Sequence, residues 1–177
     1  RYFRSTRAHN TIAIDGADQS AQLGSLLWGH RAVSRASEWQ PRPGGGTVAG
    51  EHDGYKVLPA RAMHRRRLDL DRATRTLTID DEVASNGAHD LEVSFHFSEH
   101  CEVSANGHRV TVTFPGGRAM LVLDERLAVA CSRGGNLGQG GWVSRGYHLK
   151  TPAWTVRGTL KGAASATLRS QLQIGAL

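Results

Sequence analysis

Four stretches of the 177-residue chain combine residue types that do acid–base, metal or anion chemistry. His9 stands in Arg4-Ser5-Thr6-Arg7-Ala8-His9-Asn10-Thr11, where alternation sets it on the face of Thr11 and Ala13, opposite Ile12 and Ile14. A histidine on the wet side of a strand start can ligate a metal, carry a proton, or be an ordinary polar surface residue. His52 stands in Glu51-His52-Asp53-Gly54-Tyr55, beside a glycine turn. Loops at sheet ends often hold binding residues; a local cap or turn hydrogen bond is the plainer role. His64 opens His64-Arg65-Arg66-Arg67, with His64 and Arg66 on the face of Ala62, Leu68 and Leu70. A partly buried arginine needs a carboxylate or carbonyl partner, and Asp80 and Asp81 are the candidates. Such a set is either a structural His–Arg–Asp network or a site for a sugar carboxylate, which arginine grips with two parallel hydrogen bonds.

The fourth stretch, His96-x-x-x-His100-Cys101, invites a zinc reading. Four residues of strand span about 13 Å, so a bend at Ser98-Glu99 is required. Structural zinc takes four close ligands, and this cluster offers three at most. The chain has neither a Gly-x-Ser-x-Gly elbow nor a phosphate-binding Gly-Lys-Ser/Thr loop. Gly134-Gly135-Asn136-Leu137-Gly138-Gln139-Gly140-Gly141 precedes a strand-like run rather than a helix, and reads as a loop. Trp28, Trp39, Trp142 and Trp154 are either sugar-stacking platforms or core residues.

These residues must be positioned by strands, because period two dominates the hydrophobic pattern. Leu91, Val93, Phe95 and Phe97 alternate with Asp90, Glu92, Ser94 and His96; Val110, Val112 and Phe114 alternate with Arg109, Thr111 and Thr113. Leu168, Leu172 and Ile174 alternate with Thr167, Arg169, Gln171 and Gln173. Each apolar set is expected on a buried face. Further strands are expected at 9–15, 25–38, 47–53, 62–71, 76–83, 118–123, 126–132, 141–149 and 153–160. Turn signals separate them: Asp15-Gly16, Asn86-Gly87, Asn106-Gly107 and Pro115-Gly116-Gly117, with 41–46 as a hairpin tip. Residues 17–27 have mild helical character, broken by Gly24 and by the Leu26, Trp28 alternation. The expectation is an all-β protein, an antiparallel multi-stranded β-sandwich spanning 1–177 as one domain.

Composition supports a folded domain with a core of its own. The net charge of +6 attracts polyanions, whether glycan, nucleic acid or anionic lipid, without choosing among them. The positive residues are dispersed and mostly arginine rather than a continuous stripe, which ranks nucleic acid last. No run reaches the length of a membrane span. Cys131, spaced two from Val129 and four from Leu127, reads as a buried structural thiol; Cys101 pairs with it or stays free.

The opening run Tyr2-Phe3-Arg4-Ser5-Thr6-Arg7-Ala8-His9-Asn10-Thr11-Ile12-Ala13-Ile14-Asp15-Gly16-Ala17-Asp18-Gln19-Ser20 resembles the heparinase II/III-like polysaccharide lyases. Glu51-His52-Asp53-Gly54-Tyr55, then His64-Arg65-Arg66, Asp80-Asp81-Glu82-Val83 and His89 are similar to later segments of that family in order and spacing. The resemblance implies cleavage of uronic-acid glycans such as heparin, heparan sulfate or alginate by β-elimination. It implies an N-terminal α/α toroid carrying most catalytic residues, and a β-sandwich whose early strands hold a His-x-His-x-Asp motif. This chain has neither, so it is expected to be the C-terminal part of a larger bacterial lyase, periplasmic or secreted, and inactive in isolation. By the same match His9 is the third ligand of a structural zinc in the complete protein, with no zinc held tightly by this chain. His52, Tyr55, His64 and Arg66 are the candidate substrate-binding residues, the partners being an anionic polysaccharide and the toroid, and no catalytic residue is assigned. The alternative is a glycan-binding or structural β-sandwich without chemistry.

Overall fold

The computed structural model describes residues 2–136 and 140–175. Among them the alternating runs form fourteen strands: β1 (Ile12–Ile14), β2 (Ser34–Arg42), β3 (Gly45–His52), β4 (Ala62–Asp71), β5 (Thr76–Ser85), β6 (His89–His96), β7 (Glu102–Asn106), β8 (Arg109–Phe114), β9 (Gly117–Val122), β10 (Ala128–Arg133), β11 (Trp142–Gly146), β12 (Leu149–Pro152), β13 (Trp154–Ala163) and β14 (Ala166–Gly175). Helix is confined to two 3-10 turns, Tyr2–Arg4 and Thr6–Ala8.

Eight strands form one sheet in the order β2-β3-β4-β5-β14-β9-β8-β7; four form a second, β1-β6-β13-β10; β11 and β12 make a separate hairpin. Every pairing is antiparallel. The two larger sheets share one core. Ile12, Ile14, Leu91, Val93 and Val156 from the smaller meet Ile79, Val83, Val110, Leu121 and Leu168 from the larger, each at most 6% exposed. This is the expected β-sandwich, and burial of each such side chain contributes roughly 1.5–3 kcal/mol.

The unequal strand numbers matter for the site. Four strands cannot cover eight, so the inner face of β2, β3 and the ends of β4 and β14 runs out beyond the smaller sheet. Trp39 is 75% exposed, Leu70 39% and Ile174 48%, although all three share parity with the buried face. Ile174 therefore departs from its expected burial; Leu168 is buried and Leu172 packs partly against the core. Edge strand β2 carries Arg35, Glu38, Pro41 and Arg42, which blunt pairing with another chain.

Three further expectations need correction. β2 begins at Ser34, because residues 21–30 close on themselves through Ala21 N–H to His30 O (2.8 Å) and Gly29 N–H to Ala21 O (2.8 Å). The first strand shrinks to Ile12–Ile14, preceded by 3-10 turns. β7 is not among the expected strands: Glu102-Val103-Ser104-Ala105-Asn106 does alternate, but over five residues with Val103 as the one large apolar side chain, and only Val103 is partly buried at this edge. Of the glycine-rich segment, residues 137–139 lie outside the described residues, and Gly134 N–H donates to Gly141 O at 2.7 Å across its ends.

Candidate functional site

The register of β3, β4 and β5 places His52 opposite His64, and Arg66 opposite Asp81. All four residues point to the inner face. A chain of hydrogen bonds follows. Gly54 N–H donates to His52 Nδ1 (3.2 Å), His52 Nε2 lies 3.1 Å from His64 Nδ1, and His64 Nε2 lies 2.7 Å from Asp81 Oδ1. Since His52 Nδ1 accepts, its proton sits on Nε2 and is donated to His64 Nδ1; His64 then donates from Nε2 to the carboxylate. One tautomer set satisfies every link. Gly54 belongs here because a Cβ at that position would lie 2.5 Å from the Gln19 carbonyl oxygen.

Arg66 closes the network with two 2.7 Å hydrogen bonds to Asp81 and a third from Nη1 to the carbonyl of Asn10. Burial by itself would raise the Asp81 carboxyl; the hydrogen bonds from His64 and Arg66 outweigh it and hold the group below the ordinary carboxylate range. For His52, burial first and the neighbouring His64 second push the imidazole down to about 4, so it is neutral at physiological pH. Of the two aspartates on β5, Asp81 is the buried partner; Asp80 pairs instead with Arg169 at 2.7 Å.

Tyr55 is fully buried, and its hydroxyl donates to the Ile12 carbonyl at 2.6 Å. Burial pushes that phenol up. It pins β1 over the larger sheet and lines none of the clefts described here. Tyr147 is 91% exposed on the β11–β12 hairpin.

Two clefts lie along this edge of the sandwich. One, of about 460 Å³, is bordered by Arg4, His9, Trp28 and Arg31; the other, of about 420 Å³, by Arg35, Glu51, His52, His64 and Arg66. Thr11 and Gln19 line both, so the two clefts adjoin. The opening motif builds its wall. Asp18 Oδ1 accepts from Thr6 N–H (2.7 Å), Thr6 Oγ1 accepts from Gln19 N–H (2.8 Å), and Gln19 Nε2 donates to Thr11 Oγ1 (3.0 Å). His9 is exposed on the segment so fixed, just before β1. Gln19 and Arg31 are not among the residues singled out from sequence: Gln19 gains a role only through its side-chain bond to Thr11, and Arg31 falls within the expected strand 25–38 but lies in the irregular segment just before β2.

Among the described residues no three His, Cys, Asp or Glu side chains converge as metal ligands. His9 is a single donor, so the described residues do not by themselves fit a structural zinc site. The His96, His100, Cys101 cluster does not assemble either: Cys101 is 8% exposed in the core, and the His100 ring is 73% exposed near Glu99. Cys101 and Cys131 are both free thiols. No helix among the described residues is long and apolar enough to cross a membrane.

Comparison with known proteins gives a consistent picture. A family model described as "Heparinase II/III-like, C-terminal" matches residues 1–169. The fold is similar to that of the heparan sulfate lyase HepC from Pedobacter heparinus, with TM-score 0.74 and 17% identity over 99% of this chain and 25% of that one. It is similar to the heparinase III BT4657 gene product with TM-score 0.71 and 19% identity, over 99% of this chain and 25% of that one. A third structure, heparinase III, gives TM-score 0.72 and 14% identity over 99% and 24%. The chain thus spans about a quarter of the solved proteins it matches. No curated protein matches it. With its opening motif, its β-sandwich and a family match over nearly the whole length, this chain belongs to the heparinase II/III-like family, as its C-terminal domain.

Proposed function

We propose that this chain is the C-terminal β-sandwich part of a polysaccharide lyase that cleaves uronic-acid glycans by β-elimination, and that it does not turn over glycan in isolation. The observation that carries the reading is the pair of adjoining clefts, one bordered by His9 and Arg31 and the other by His52 and Arg66, on a domain of this family. β-Elimination removes the proton next to a carboxylate, which requires neutralisation of that carboxyl and a base. The clefts offer cations for the first task. The base belongs to the toroid, for which the apolar tip of the 21–30 excursion is the seat: Leu23, Leu26 and Leu27 are 60%, 96% and 61% exposed beside the clefts. In this reading His64, Asp81 and Tyr55 are positioning residues that hold the cleft floor, while His52 and Arg66 face the glycan. His9 is the zinc ligand that the complete protein supplements from its earlier strands.

A second reading is a glycan-binding domain without chemistry, favoured by the full satisfaction of the His52–His64–Asp81–Arg66 network, which leaves no free base there. The complete gene product decides between them. Mixed with heparan sulfate, heparin or alginate it is expected to release unsaturated uronate, read by ultraviolet absorbance, while the 177-residue chain releases none. Turnover by the 177-residue chain would sink the first reading as stated, and silence from the complete product would favour the second.

A further inference from the structure

The first cleft differs from its neighbour in one respect: no carboxylate lines it. Its border holds Arg4, His9 and Arg31 without an Asp or Glu, whereas in the second cleft Arg35 is paired with Glu51 at 2.5 Å. Most other arginines with an ion pair are similarly neutralised, Arg42 by Asp69, Arg126 by Asp124 and Arg145 by Glu99. Arg31 is exposed and has no hydrogen-bond or ion-pair partner among the described residues. Beside it stands Trp28, a residue 37% exposed and bridged to Gln22 within the 21–30 excursion. The ring is braced by Arg4, which borders the same cleft. The Arg4 guanidinium carbon lies 5.8 Å from its centroid, and Arg4 is itself tied to the carbonyls of Ser25 and Gly24. Arg4 therefore orients the tryptophan, leaving Arg31 as the unpaired cation.

We propose that Trp28 and Arg31 form a subsite for one acidic sugar residue, with the tryptophan face against the pyranose ring and the Arg31 guanidinium on its carboxylate or sulfate. An aromatic plane next to a planar two-pronged donor is the pairing that an anionic sugar fits, since the ring has an apolar face and the acid group takes parallel hydrogen bonds. Gln19, which lines the same cleft, supplies an amide for a ring hydroxyl. This inference rests on the lyase reading for its substrate class, but it is a statement about binding, and the two can fail separately.

The test is calorimetric binding of three oligosaccharides to the 177-residue chain: a non-sulfated polyuronate, a heparan sulfate fragment and a neutral glucan. Both acidic ligands are expected to bind and the neutral one not. Trp28→Ala and Arg31→Gln should each weaken binding about tenfold, roughly 1.4 kcal/mol, while Trp39→Ala, on the distant part of the sheet, leaves it unchanged. Binding of the heparan sulfate fragment alone assigns the acid group as sulfate; of both, as carboxylate. Equal affinity in both variants, or no binding of either acidic ligand by the intact chain, overturns the subsite. The same substitutions in the complete gene product should raise KM for the acidic glycan with kcat nearly constant. Eliminative turnover with KM unchanged overturns the subsite and leaves the lyase reading standing. Weakened binding in a product that never forms unsaturated uronate overturns the lyase reading and keeps the subsite.

Discussion

Two buried histidines in this sandwich each meet a carboxylate, and their second nitrogens meet different partners. His64 lies 2.7 Å from Asp81, and its other nitrogen faces His52, a ring that can donate. His89 lies 2.6 Å from Asp15, and its other nitrogen faces the Ala60 carbonyl, which can only accept. Both nitrogens of His89 thus face acceptors, whereas His64 stands between an acceptor and a ring that can donate. The second partner, not the carboxylate, distinguishes the two sites, and the permanent cation beside Asp81 is Arg66.

The largest effect expected from this contrast is at Asp81. Asp81→Ala strands a permanently charged, mostly buried Arg66, and breaking a buried pair on one side costs about 3–5 kcal/mol. Asp15→Ala should cost distinctly less, because the Asp15 side chain is 40% exposed and its loss strands no arginine. Urea denaturation of both variants measures the order. A larger loss for Asp15→Ala would mean that the His89 tie, not the Arg66 network, is the main polar lock between the elements.

How much of this was legible beforehand follows from where alternation is enforced by a facing layer. The strand 62–71 and the His64, Arg66, Asp81 set could be read because that face is packed against β1 and the core, so parity alone fixed the inward residues. Ile174 and Trp39 keep the same parity but lie past the end of the smaller sheet, and no local pattern encodes how many strands the opposite sheet has. His89 was seen only as part of a family segment. Its tie to Asp15 joins residues 74 apart, a separation that spacing along the chain does not reveal. Likewise the two clefts adjoin only through Thr11 and Gln19, which stand between walls built from distant segments.

A smaller effect separates the two histidine sites by pH. The folded value of His52, about 4, lies below its ordinary 6.5, so the unfolded chain binds a proton that the folded chain refuses. Its contribution is whole above about pH 6.5 and is lost as pH falls towards about 4. Asp15 is held low as well: burial opposes this, but the hydrogen bond from His89 prevails. Its contribution persists to lower pH and is lost only below the ordinary carboxylate value of 3.8. Stability should therefore decline in two stages on acidification, and His52→Gln should remove the upper one only. Nitrogen-15 imidazole spectra at neutral pH add the direct check on His52, whose Nε2 alone should carry a proton. An unchanged upper stage in His52→Gln would place its origin elsewhere.

The smallest expected effect is at His9, and its smallness is informative. In this chain the ring is exposed and the segment is held by Thr6, Asp18 and Gln19, so His9→Ala should change stability by no more than about 0.5 kcal/mol. In the complete gene product the same substitution should lower zinc content and melting temperature, because a metal bound only by the folded state stabilises it by mass action. A ligand residue that is silent in the part and costly in the whole is one whose partners come from outside the part. Metal analysis of the complete product, with melting curves taken with and without chelator, measures the difference. Equal zinc content in the complete His9→Ala protein would leave His9 as a surface histidine of the first cleft and remove it from any metal site.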